Sequence, residues 1–275
     1  MSHTAPEPDA ELRPYEPIHP GGDLGRLLRK LAAPAGVVLA LALKFKAAAL
    51  VLLKLKIFAT SGTMLVSMAA YAWLWGWKFA VGFVLLILVH ELGHVAELRR
   101  QGIPASAPLF IPFMGAVVGM KQMPHDAWRE ARVALAGPIV GSVGALGVWV
   151  AGEALDSELL VATAFTGFFL NLFNLLPIVP LDGGRAVGAL HPAFWLLGLI
   201  GLAGLLVIAP NPILLFILVI GAFELWNRWR ERGTAEATSY YKIERWQRAV
   251  VAVTYLGLAA FLAVAMHFTH IERTL

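Results

Sequence analysis

Cysteine is absent from this 275-residue chain. Disulfides and thiolate-bound metal are therefore excluded, and any metal site must be built from histidine and carboxylate. Charge is scarce as well. Asp, Glu, Lys and Arg supply 15% of the residues, where soluble domains carry about a quarter, and 59% are hydrophobic. That balance argues against a soluble domain and predicts a polytopic membrane protein of spans joined by short loops. Residues 1–20 lack an apolar core. They are polar and proline-rich, and read as a tail instead of a cleavable signal peptide.

Long apolar runs are abundant. The pattern predicts an all-α membrane protein with about seven transmembrane helices, over 57–75, 79–97, 131–152, 159–176, 194–209, 213–226 and 249–267. Trp73, Trp75 and Trp77 form an interfacial belt at the end of the first. Residues 1–33 are expected to be a disordered, basic cytoplasmic tail. In 34–56, Lys44, Lys46, Lys54 and Lys56 scatter around a helix at 100° per residue and define no polar face. That segment is expected to be interfacial or packed beside the bundle. A membrane core over 57–190 is followed by additional helices in 191–275. Between the second and third spans, Pro104, Pro108 and Pro112 break a helix, and Gly115 and Gly119 permit turns. This apolar stretch is expected to be a re-entrant hairpin, which is tolerated at membrane depth where it lines a cavity.

Basic residues set the orientation. With the N-terminus in the cytoplasm and each of seven spans crossing once, only Lys78 and Arg273 of the 22 lysines and arginines fall outside. The net charge of +4 is thus a topology signal and calls for no nucleic acid. The expected location is a bacterial cytoplasmic membrane.

The chain is organised around Val89-His90-Glu91-Leu92-Gly93-His94. In this H-E-x-x-H pattern His90 and His94 lie four residues apart and share one helical face, as two ligands of one metal must. Glu91 is placed to act on water at the metal. The pattern arises by chance on the order of once in a hundred chains of this composition. On a soluble helix it could occupy a solvated face. Here it follows a run from Phe79 to Val89 with no polar side chain, and ionisable groups after such a run are costly in lipid unless they bind something.

Two histidines do not complete a catalytic zinc site, which takes three protein ligands. Both lie in the half of the second span nearer the cytoplasm. The fourth span runs the same way, and Asp182 follows its end, between a proline-broken segment and a glycine pair. The plain alternative for Asp182 is a helix cap or turn residue. Gly137, Gly141 and Gly144 recur at helical spacing in the third span and mark a close helix approach, a packing signal.

Two motifs together resemble the site-2 protease family of intramembrane zinc metalloproteases. The first is Val-His-Glu-Leu-Gly-His at 89–94. The second is Asn174-Leu-Leu-Pro177-Ile-Val-Pro180-Leu-Asp182-Gly183, similar to the family's N-x-x-P-x-x-x-L-D-G. Ala136-Gly137-Pro138 extends the resemblance to roughly residues 60–190. The resemblance implies a zinc ion held by His90, His94 and Asp182, with Glu91 as catalytic base and Asn174 contacting substrate or the oxyanion. It further implies transmembrane protein substrates cleaved within or next to their spans. The hairpin would offer an edge strand to an unwound substrate, with Phe113, Gly115 and Ala116 beside Asn174 as substrate-binding residues. Asn171 is assigned to packing. The chain departs from many members in showing no PDZ or CBS-type domain.

A zinc-binding transporter or non-proteolytic scaffold could use the same ligands. A transporter would need no glutamate beside the first histidine and would spread ionisable groups across the membrane depth. A prenyl-type metalloprotease would take its third ligand from a glutamate, and the Leu-Asp-Gly sequence argues otherwise. His125 and His191 read as solvated or capping residues, His267 and His270 as interfacial ones, and Glu224 as a partner for Arg228.

Overall fold

The structure, a computed structural model, describes residues 59–191, 193–231 and 233–270. The segments expected over 1–33 and 34–56 lie outside the described residues. Helix α1 occupies 59–75, and Gly76, with φ 83°, separates it from α2 (Trp77–Arg100). Strands β1 (Leu109–Ile111) and β2 (Gly115–Val117) form an antiparallel hairpin pairing Leu109 with Val117 and Ile111 with Gly115. Helix α3 (Ala127–Ala154) starts where the Asp126 side chain accepts from Arg129 N at 2.8 Å. Helices α4 (Glu158–Asn174), α5 (Asp182–Gly188), α6 (Ala193–Ile208), α7 (Pro212–Glu231), α8 (Ala235–Tyr240) and α9 (Arg245–Phe268) complete the order.

The apolar runs became helices within a few residues of their expected limits. Among the described residues four helices are, by length and composition, long and apolar enough to cross a membrane: α2 (24 residues), α3 (28), α7 (20) and α9 (24). The apolar helices α4 and α6 have 17 and 16 residues and are shorter. The charged stretch over 227–248, between the last two expected spans, is mostly helical in its described residues. Helix α7 continues to Glu231, and Thr234 caps α8 by accepting from Ala237 N. A capping box between Glu244 and Gln247 then starts α9.

The core that positions the site lies among α2, α3 and α4, with α9 packed on α3 and α4. Leu86, Ala145, Ala164, Phe168 and Leu262 are buried together there. On α6, α7 and α9, Ile200, Val219, Val253 and Leu256 are exposed, so these helices present apolar surface outward, as hydrocarbon contact requires. The hairpin is fastened to α1. Phe110 N donates to Thr63 Oγ1 at 3.2 Å, and the Tyr71 and Phe113 rings meet edge-on at 5.5 Å.

Candidate metal centre

His90 and His94 fall one turn apart on the buried face of α2, and Asp182 is the first residue of α5. The three side chains converge although 88 residues separate His94 from Asp182. His90 Nε2 lies 3.1 Å from Asp182 Oδ2, His94 Nε2 lies 3.2 Å from the same oxygen, and the two Nε2 atoms are 3.2 Å apart. Among the described residues this is the group of histidine and acidic side chains able to hold a metal ion.

The donor set fits such an ion. His90 Nδ1 donates to Asn171 Oδ1 at 2.8 Å, because the Asn171 Nδ2 is itself committed to Gly167 O at 2.8 Å. His94 Nδ1 donates to Val133 O at 2.8 Å. Each ring thus carries its hydrogen on Nδ1 and turns a lone pair on Nε2 towards the other and towards a carboxylate oxygen. Three acceptors meeting with no hydrogen between them repel unless a cation sits among them. Ligands at about 2.05 Å from a tetrahedral zinc stand about 3.3 Å apart, close to the edges of this triangle.

Close backbone approach makes room for His94 and for Asn171. A Cβ on Gly137 would stand 2.2 Å from His94 Nε2, and one on Gly141 would stand 2.3 Å from Asn171 Oδ1. Gly137 and Gly141, expected to serve helix packing alone, therefore also admit the His94 ring and the Asn171 side chain. Asp182 arrives by a similar device. A Cβ on Gly183 would lie 2.0 Å from Leu175 O and one on Gly184 2.2 Å from Ile178 C, so the glycine pair lets α5 lie flat on the preceding turn.

Glu91 is buried and has no hydrogen-bond partner among the described residues. It lines a cavity of about 510 Å³ that also reaches His90, His94, Asp182, Asn174 and Arg185. The hairpin walls it as well, through Phe113, Gly115 and Ala116. Asn174 is half-buried, and its Nδ2 donates to Leu170 O at 3.1 Å.

Asn171, expected to be a packing residue, instead orients His90. The two asparagines are three residues apart on one helix, and periodicity could not tell which would face α2. Sequence reasoning also passed over Glu130 and Arg185, an ion pair at 3.1 Å beside the cavity. A buried carboxylate early in a membrane helix was the available signal. His125 is exposed, and His191 Nδ1 accepts from Ala193 N as a cap. Glu224 pairs with Arg228 at 2.8 Å.

Residues 78–157 match the model of peptidase family M50. The chain is 31% identical over 120 residues to zinc metalloprotease MJ0392 of Methanocaldococcus jannaschii, covering 41% of this chain and 34% of that one. It is 35% identical over 120 residues to putative zinc metalloprotease Rip3 of Mycobacterium tuberculosis, covering 40% and 30%. To stage IV sporulation protein FB of Bacillus subtilis it is 31% identical over 110 residues, covering 39% and 38%. The chain thus spans about a third of the length of these curated relatives. The matched stretch contains His90, Glu91 and His94, so over residues 78–157 the chain is similar to peptidase family M50.

Proposed function

We propose that this protein is an intramembrane zinc metalloprotease that hydrolyses peptide bonds in or beside the transmembrane segments of other membrane proteins. The observation behind this reading is the triangle of His90, His94 and Asp182 opening onto a cavity that Glu91 shares. His90, His94 and Asp182 hold the metal. Zinc at this position would supply the Lewis acidity that makes water nucleophilic near neutral pH and polarises a peptide carbonyl. Glu91 accepts the proton that the attacking water gives up, and returns it to the amine nitrogen as the C–N bond breaks. Asn174 has a second amide hydrogen beyond the one given to Leu170 O, and offers it to the oxyanion.

The hairpin holds the substrate. Phe110 N–H points outward to Thr63, so residues 109 and 111 face β2, and the outward main-chain groups of β2 are those of Ala116. The outer edge of β1 is occupied by α1. The edge of β2 borders the cavity through Gly115 and Ala116 and is open to an unwound peptide, with Phe113 packing on its side chains. In the membrane we place the N-terminus and the metal on the cytoplasmic side. The seven apolar helices α1, α2, α3, α4, α6, α7 and α9 each cross once, and the hairpin dips into the bilayer. The basic residues at the cytoplasmic ends support that orientation.

The experiment compares wild type with Glu91→Gln, purified in detergent with zinc, on a panel of single-span membrane peptides. Both proteins should hold one zinc, and only wild type should cleave. Zinc bound by both with cleavage by neither, across a panel of varied spans, would favour a transporter or scaffold. Failure of wild type to bind zinc would end the proposal.

A further inference from the structure

Asp182 stands on a helix of seven residues, too short for its internal hydrogen bonds to fix its own rotation. The orientation of α5 is imposed from outside. Arg185, one turn after Asp182, donates through Nε to Glu130 Oε1 of α3 at 3.1 Å. Trp195 of α6 donates through Nε1 to Gly184 O at 2.6 Å. Arg248 of α9 donates to Leu190 O, just past the end of α5, and to Tyr241 O at 3.0 Å.

Glu130 joins these contacts. It is 2% exposed, and a carboxylate so buried is costly unless both oxygens are matched. Oε1 takes Arg185, and Oε2 accepts from the Tyr240 hydroxyl of α8 at 2.7 Å. Burial, reinforced by the Glu130 carboxylate, pushes the Tyr240 phenol well above its ordinary range, so it remains a donor. Tyr241 beside it meets the Trp195 ring edge-on at 6.2 Å, and Arg228 covers that ring at 4.9 Å. Glu130 and Tyr240 make no hydrogen bond to the His90, His94 and Asp182 triangle. Every member of this frame except Glu130 lies after residue 157, beyond the stretch that matches the family.

We infer that Tyr240, Glu130 and Arg185 form a positioning relay that holds α5 at the rotation turning Asp182 towards His90 and His94. Retention of the metal, and not only turnover, then depends on the segment between α7 and α9. The inference rests on Asp182 being a metal ligand, as proposed above. It gives the C-terminal helices a function: they frame the third ligand.

The test measures zinc affinity of the full chain in detergent, by competition with a chromogenic chelator, well below the melting temperature of every variant. Asp182→Ala is the reference for a lost ligand. Glu130→Gln should bind zinc about 10- to 100-fold more weakly than wild type, the usual loss for a partner behind a ligand. Tyr240→Phe should weaken binding in the same direction. Adding it to Glu130→Gln should cost little more, because the two act in series. Arg185→Lys should retain part of the affinity that Arg185→Met loses. A merely structural role would lower the melting temperature and leave zinc affinity alone. Should Glu130→Gln fail to fold, Tyr240→Phe, which removes one hydroxyl, decides. Zinc affinity within twofold of wild type in Tyr240→Phe, with Asp182→Ala weakened, would overturn the relay. Wild-type affinity in Asp182→Ala would instead overturn the metal reading on which it stands.

Discussion

Asn171 of α4 and His90 of α2 are joined by a buried 2.8 Å hydrogen bond, Nδ1 to Oδ1, and that bond selects the nitrogen His90 turns inward. Three residues later, Asn174 makes no such contact and lines the cavity instead. One helix therefore carries two asparagines in different settings, one bonded to the His90 ring and one on the cavity wall.

Replacing them should separate these roles. Asn171→Ala leaves the His90 Nδ1–H buried without an acceptor and frees the ring to rotate. Zinc affinity should fall about 10- to 100-fold. Asn174→Ala should keep wild-type zinc affinity and lose about a hundredfold or more in cleavage rate. Zinc titration paired with a peptide-cleavage assay checks both.

Glycine substitutions on α3 should split stability from metal binding. Nothing lies within 4 Å of a Cβ at Gly147, so Gly147→Ala should stabilise the helix by about 0.5–1 kcal/mol and leave zinc binding unchanged. Gly137→Ala gains the same helix propensity but places a methyl 2.2 Å from His94 Nε2. Zinc should be lost from the purified protein. Metal analysis alongside thermal unfolding distinguishes the two variants.

Metal removal should soften the fold around α5, because ligand binding to the native state stabilises it by mass action. With free zinc at about 100 times its dissociation constant that contribution is about 2.7 kcal/mol. A chelator should therefore lower the melting temperature of wild type. It should leave Asp182→Ala unchanged, since that variant has little bound metal to lose. Equal chelator shifts in both proteins would show that the stabilising metal sits elsewhere.

The hairpin edge makes a prediction about substrate alone. Ala116→Pro removes the N–H on the open side of β2, while Ala116→Ser keeps it. Cleavage of a single-span peptide should drop at least tenfold in the first and persist in the second, with zinc content unchanged in both. A proline variant that cleaves normally would show that the substrate does not pair at this edge.

Much of this was legible in the chain. Apolar runs fixed the helices because burial or lipid contact is decided by composition over many residues, and short-range errors average out. His90, Glu91 and His94 were legible because helical geometry puts residues four apart on one face without help from the rest of the fold. Asp182 was the natural third candidate from its place after a broken helix. Its approach to the histidines depends on α5 lying on the turn before it, which spacing along the chain does not encode.

The tertiary structure decided the remainder. Gly137 and Gly141 carried the same signal as Gly144 in sequence, yet two of them make room for His94 and Asn171, while a Cβ on Gly144 would meet Val89 at 2.9 Å. Asn174 was expected to meet substrate and Asn171 only to pack, and the rotation of α4 against α2 brought Asn171 to His90. Glu130, Arg185 and Tyr240 read as isolated polar residues in three separate segments, 55 residues apart in each step. Local chemistry and periodicity determine which residues can form a helix or ligate a metal. Which of them face one another is settled only when non-local packing fixes each helix's rotation, because that choice depends on contacts that no single segment contains.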